Sequence, residues 1–110
     1  MKKKTFWISF DLGLNGDYEG LYRWLDSHNA LECGDCVAVI KDFEYEDEFL
    51  EYLHKSLRES VKFREGKDRI YVIFKEDKTN KTKGKFLIGS RKTSPPWKGY
   101  ALEVANFDED

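Results

Sequence analysis

The chain has 110 residues, 40% of them hydrophobic, 15% aromatic and 36% charged, with a formal net charge of -2. That length fits one domain with one modest core, and the composition excludes a largely disordered chain. No apolar run is long enough to cross a bilayer, and the slight net acidity argues against a whole-surface attraction to nucleic acid.

The amino terminus, Met1-Lys2-Lys3-Lys4, has the basic character of a signal peptide, but Ser9 and Asp11 follow with no small-residue cleavage site. A soluble, cytoplasmic protein with no membrane partner is the expectation. Thr5 to Leu12 alternates: Phe6, Ile8 and Phe10 fall on one side of an extended chain, and Trp7, Ser9 and Asp11 on the other. The strand stops at Gly13-Leu14-Asn15-Gly16, a cluster of turn residues. Asp11 therefore stands at the carboxyl end of a central strand, where sites tend to be built.

Asp17 to His28 reads as a helix whose apolar face is Tyr18, Leu21, Tyr22 and Leu25, with Asn15 or Asp17 as cap and Trp24 half exposed beside the stripe. Ala30 to Cys33 and Cys36 to Ile40 form a hairpin about Gly34-Asp35. Asp42 to Asp47 is an acidic connection. Glu48 to Lys62 is a second helix with Phe49, Leu50, Leu53, Leu57 and Val61 on one stripe. Arg69 to Phe74 is the strongest strand signal. Lys78 to Gly84 reads as a polar loop, and Lys85 to Gly89 as a strand hairpinned to the previous one. Pro95-Pro96-Trp97 fixes an extended connection. Tyr100 to Val104 reads as a last edge strand, and Asn106 to Asp110 as a loose acidic tail.

The element order predicts one α+β domain over residues 1–110: a split βαββαβ arrangement, ferredoxin-like, with an antiparallel sheet, two helices on one face and a C-terminal hairpin and extension over 93–110. The other sheet face is left open, and the aromatic surplus suits it to a second copy of the chain.

Charge is segregated. Asp42, Glu44, Glu46, Asp47, Glu48 and Glu51 form an acidic block, and Lys75 to Lys98 a basic one. Lys83, Lys85, Arg91, Lys92 and Lys98, interleaved with Phe86 and Trp97, suit a nucleic-acid phosphate groove with a stacking platform, or an acidic protein partner. The alternative is a hairpin whose lysines only guard an edge. Cys33-Gly34-Asp35-Cys36 lacks the helix start that a redox pair needs and the second pair that structural zinc needs. His28 and His54 are the only histidines that could complete a metal set. The simpler expectation is two free thiols acting as small apolar fillers beside a turn. No Ser-His-Asp or Cys-His arrangement is recognisable.

Phe6-Trp7-Ile8-Ser9-Phe10-Asp11-Leu12 followed by the Tyr18 to Leu25 helix resembles the opening of the small CRISPR-associated Cas-two-like proteins. Val37 to Asp42, then the helix from Glu48, and Ile70 to Phe74 followed by Phe86 to Gly89 resemble later elements of that family. SinR-like proteins and GhoS-type antitoxin ribonucleases look similar at this level, and Trp97-Lys98-Gly99 resembles the SinR-like ending. The resemblance implies a homodimer in which Asp11 of each subunit would be the catalytic residue and hold a Mg ion. The family's Ser-Val-Phe is here Cys36-Val37-Ala38, and its helix arginines are largely absent. Two functions follow: a homodimeric, non-enzymatic binding module acting on protein or nucleic acid in a defence or toxin–antitoxin setting, or a Mg-dependent nuclease built on Asp11.

Overall fold

The structure, a computed structural model, describes residues 1–101. Seven elements follow one another: β1 (Lys2–Leu12), α1 (Tyr18–Ser27), β2 (Leu31–Glu32), β3 (Val37–Tyr45), α2 (Phe49–Ser60), β4 (Asp68–Lys75) and β5 (Thr82–Ile88). The five strands make one antiparallel sheet in the order β2-β3-β1-β4-β5. The fold is α+β. No helix among the described residues is long and apolar enough to cross a membrane.

The alternation of β1 builds the core. Phe6, Ile8 and Phe10 are buried with Ile70, Val72 and Phe74 of β4 and Ala38 and Ile40 of β3, against Leu21, Trp24 and Leu25 of α1 and Leu53 and Leu57 of α2. Both helices thus cover one face of the sheet, the face their apolar stripes require. Asp17 joins the helices. One of its carboxylate oxygens accepts from Gly20 N–H at 3.0 Å, capping α1, and the other accepts from Lys62 N–H at 2.9 Å. Those two backbone donors, Lys62 first, hold its carboxyl below the usual range.

Several expectations are corrected. Trp24 is 2% exposed rather than half exposed, because its indole Nε1–H finds Ser56 Oγ at 2.9 Å across the helix interface. Tyr22, expected in the core, is 53% exposed. The acidic connection is strand as far as Tyr45. A register shift opposite Thr5, with Asp42 at φ 55°, turns the alternation over, so Ile40 lies inward and so do Phe43 and Tyr45. β5 begins at Thr82, inside the expected loop. Cys33 and Cys36 are free thiols as expected, but exposed, so they fill nothing. Tyr100 and Ala101 are helical; the rest of the expected edge strand, and the acidic tail, lie outside the described residues.

Candidate nucleic-acid interface

Among the described residues, neither α1 nor α2 lies on the second face of the sheet. Cross-strand partners share a face, so register alone defines its rows. Leu31, Val39, Trp7 and Ile73 stand side by side across β2, β3, β1 and β4. Val39 is buried yet lies outside the core cluster, while Leu31, Trp7 and Ile73 are 51%, 45% and 39% exposed. The next row along runs Val37, Ser9, Tyr71, Phe86, and the one beyond it pairs Asp11 with Arg69.

Tyr71 and Phe86 meet edge to face, with ring centroids 4.7 Å apart. The Arg91 guanidinium lies 5.6 Å from the Phe86 centroid and 6.0 Å from that of Tyr71. Ser9, Asp11, Arg69, Tyr71, Phe86 and Arg91 enclose a shallow cavity of about 260 Å³. A second register shift makes this possible. Ile70 pairs with Ile88 but Tyr71 with Phe86, so Leu87 is the extra residue that lets Ile88 face the core while Phe86 faces out.

Asp11, Arg69 and Arg91 also line a groove of about 1340 Å³, which runs between the end of α2, the segment leading into β4 and the chain after β5. Its cations are Arg58, Arg64, Lys67, Arg69, Arg91 and Lys92, against Asp11, Glu65 and Asp68. Two of the carboxylates are already matched. Asp11 accepts from Arg69 Nη2 at 2.6 Å. Asp68, 1% exposed, accepts from Arg64 Nη2 at 3.0 Å, Arg64 N–H at 2.6 Å and Gly13 N–H at 3.2 Å. Burial pushes the Asp68 carboxyl up, but the Arg64 and Gly13 donors outweigh it and leave it below the usual range. Arg58, Lys67, Arg91 and Lys92 make no ion pair among the described residues. Among the described residues the groove therefore carries positive charge in excess, beside the half-buried Tyr71–Phe86 pair.

Asp11 stands where the sequence puts it, at the carboxyl end of β1 on the open face. Among the described residues Asp11 is the one carboxylate lining the cavity there, and the Arg69 guanidinium occupies it. A hard divalent cation needs several oxygen ligands and is repelled by a guanidinium at the same carboxylate. No group of three His, Cys, Asp or Glu residues able to hold a metal occurs among the described residues, so His28, His54, Cys33 and Cys36 do not converge either. Among the described residues of a single chain, no donor set fits Mg.

The basic residues are divided. Arg91 and Lys92 line the groove. Lys83 and Lys85 share register positions with Phe74 and Val72, hence the helix side of the edge strand, and Lys83 pairs with Glu76 at 2.9 Å. Trp97 and Lys98 lie exposed in the turn after Pro95 and line neither cavity. Sequence reasoning singled out Phe86 with Arg91 and Lys92 but missed Arg58, Arg64, Lys67, Arg69 and Tyr71 as their partners. They lie on different elements, and the only available signal was outward alternation of an aromatic beside an arginine in β4. No family model, curated protein or solved structure matches the chain.

Proposed function

We propose that this chain is a binding module for single-stranded nucleic acid. The observation that carries the reading is the continuity of two features: the groove, whose cations outnumber its carboxylates among the described residues, opens at Arg69 and Arg91 onto the Tyr71–Phe86 pair. Phosphates need positive charge along a track, and unpaired bases need a flat aromatic surface; a single strand supplies both and a duplex hides its bases. Ser9 Oγ and the Tyr71 hydroxyl border the platform and are able to hydrogen-bond a base edge.

Binding of a short fluorescein-labelled oligo(dT) or oligo(U), followed by anisotropy against salt, tests the reading. Affinity should fall with log salt with a slope of about -0.7 for each phosphate neutralised. Phe86→Ala should weaken it by about 1–3 kcal/mol through the loss of stacking. Salt-insensitive or undetectable binding removes the proposal.

The arrangement β2-β3-β1-β4-β5 fits a ferredoxin-like core extended by β5, and the Leu31–Trp7–Ile73 row supports a homodimer in which a second copy covers the centre of the open face. The Cas-two-like assignment, and the defence or toxin–antitoxin setting with it, rests on the resemblance of the β1 and α1 sequences and of the later segments 37–42, 70–74 and 86–89. The nuclease alternative rests on Asp11 and that resemblance, and the Arg69 contact weighs against it.

A further inference from the structure

We infer that Asp11 is a built-in competitor for the nucleic-acid phosphate: it holds the Arg69 guanidinium while the groove is empty and releases it when a phosphate arrives. The inference rests on the binding reading above and assigns a role within that site. Three observations carry it.

First, Asp11 and Arg69 are cross-strand partners on the open face, and both line both cavities, so their ion pair sits where the basic groove meets the aromatic platform. A strand passing from one to the other places a phosphate beside Arg69. Second, the pair is accessible. The side chain of Asp11 is 59% exposed and that of Arg69 28%. Exposed ion pairs are weak in net terms, because water and salt compete with the partner. A phosphate offers the guanidinium the same two-oxygen geometry as a carboxylate, with additional charge from its neighbours along the strand. Third, the groove contains a contrast. Arg64 is also bound to a carboxylate, but Asp68 is fully buried and takes a second donor from the Arg64 backbone and a third from Gly13. Arg64 Nη1 is further tied to the Leu14 carbonyl at 2.9 Å. Freeing Arg64 would leave a buried charge without its partner, whereas freeing Arg69 leaves an exposed carboxylate that water solvates. Of the two arginine–carboxylate pairs lining the groove, only Arg69–Asp11 is built to exchange.

The experiment is oligo(dT) anisotropy on four chains: wild type, Asp11→Asn, Arg69→Gln and the double variant, all checked for equal thermal melting. Asp11→Asn should bind roughly twofold to fivefold tighter with an unchanged salt slope, because Arg69 neutralises the same phosphate in both complexes, whereas Arg69→Gln should flatten the slope by about 0.7. In the Arg69→Gln background the same substitution should give no gain, because there is no guanidinium left to release. An equal gain in both backgrounds means simple repulsion of the strand by Asp11 and overturns the inference. Unchanged or weaker binding by Asp11→Asn also overturns it, while wild-type binding leaves the binding reading standing. If wild type shows no salt-sensitive binding, the binding reading itself fails and the inference falls with it.

Discussion

The phenol of Tyr71 lies directly over the α-carbon of Gly84 on the neighbouring strand, so closely that any side chain at position 84 would overlap the ring. Gly84 is exposed, on an edge strand, and carries no positive φ that would demand glycine. What the missing side chain provides is a seat for the ring, and with it the edge-to-face contact to Phe86 and the position beneath Arg91. Gly84→Ala should force the ring to swing aside. Because the overlap is with the far end of a side chain, the fold should lose only about 1 kcal/mol. Oligonucleotide affinity should drop much further than that stability change suggests. Melting and anisotropy on the same variant check this: equal affinity to wild type would mean that the ring position does not matter to binding.

Legibility in the sequence differs from element to element. α2, β4 and β1 from Thr5 onward are readable because their apolar periods are unbroken, whereas the start of β1, Lys2, Lys3 and Lys4, carries no apolar period and does not read as strand. β3 reads as stopping at Ile40 because the register shift at Thr5 and Asp42 moves the inward residues from even to odd positions, which looks like the end of a strand. Trp24 reads as half exposed because it falls beside the apolar stripe of α1, while Ser56 on the other helix satisfies its indole N–H within the interface. The open face is legible from alternation in β1. The groove is not, because Arg58, Lys67 and Arg91 are brought together by long-range packing and no local spacing links them.

Asp68 is the one buried charged residue among those described, and its contacts hold the chain entering β4 to the turn after β1. Asp68→Asn removes the charge while keeping the shape. It should cost about 2–3 kcal/mol at neutral pH, since Arg64 loses its ion and the amide cannot accept at both former oxygen positions. The pH dependence has a definite sign. The folded carboxyl lies below its unfolded value, so its contribution is complete above about pH 5 and is lost as pH falls below about 4 through the folded pKa. Denaturant melts across that range should show wild type and variant converging in acid; a gap that stays constant would mean the carboxylate charge contributes nothing.

Trp7 sits at the middle of the uncovered face, between Val39 and Ile73. If a second copy covers that row, Trp7→Glu should convert dimer to monomer, because two carboxylates would then be buried near the two-fold axis. The side chain has no role in the core beneath the helices, so thermal stability of the monomer should change by no more than about 0.5 kcal/mol. Light scattering at micromolar concentration decides. A wild type that is already monomeric removes the dimer, and a Trp7→Glu chain that remains dimeric moves the interface elsewhere.

Two sets of basic residues that look like one in the sequence stand apart in the fold. Arg91 and Lys92 line the groove; Lys83 and Lys85 lie on the helix side of β5, and Lys83 is engaged by Glu76, whose carboxyl is held below its usual range first by that lysine and then by Thr79. Reversing Arg91 and Lys92 to Glu should therefore abolish most oligonucleotide binding and flatten the salt dependence by about 0.7 for each phosphate no longer neutralised. Arg91→Glu should do more than Lys92→Glu, since it also strips the cation from the faces of Phe86 and Tyr71. Reversing Lys83 and Lys85 should lower affinity only slightly, through the long-range field, and that small effect should vanish at high salt because the screening length falls to about 3 Å at 1 M. Equal losses of affinity from both pairs would mean the strand follows the sheet edge instead of the groove. A larger loss from Lys83 and Lys85 would place the phosphate track on the helix side, away from Tyr71 and Phe86, and the aromatic platform would then have no part in binding.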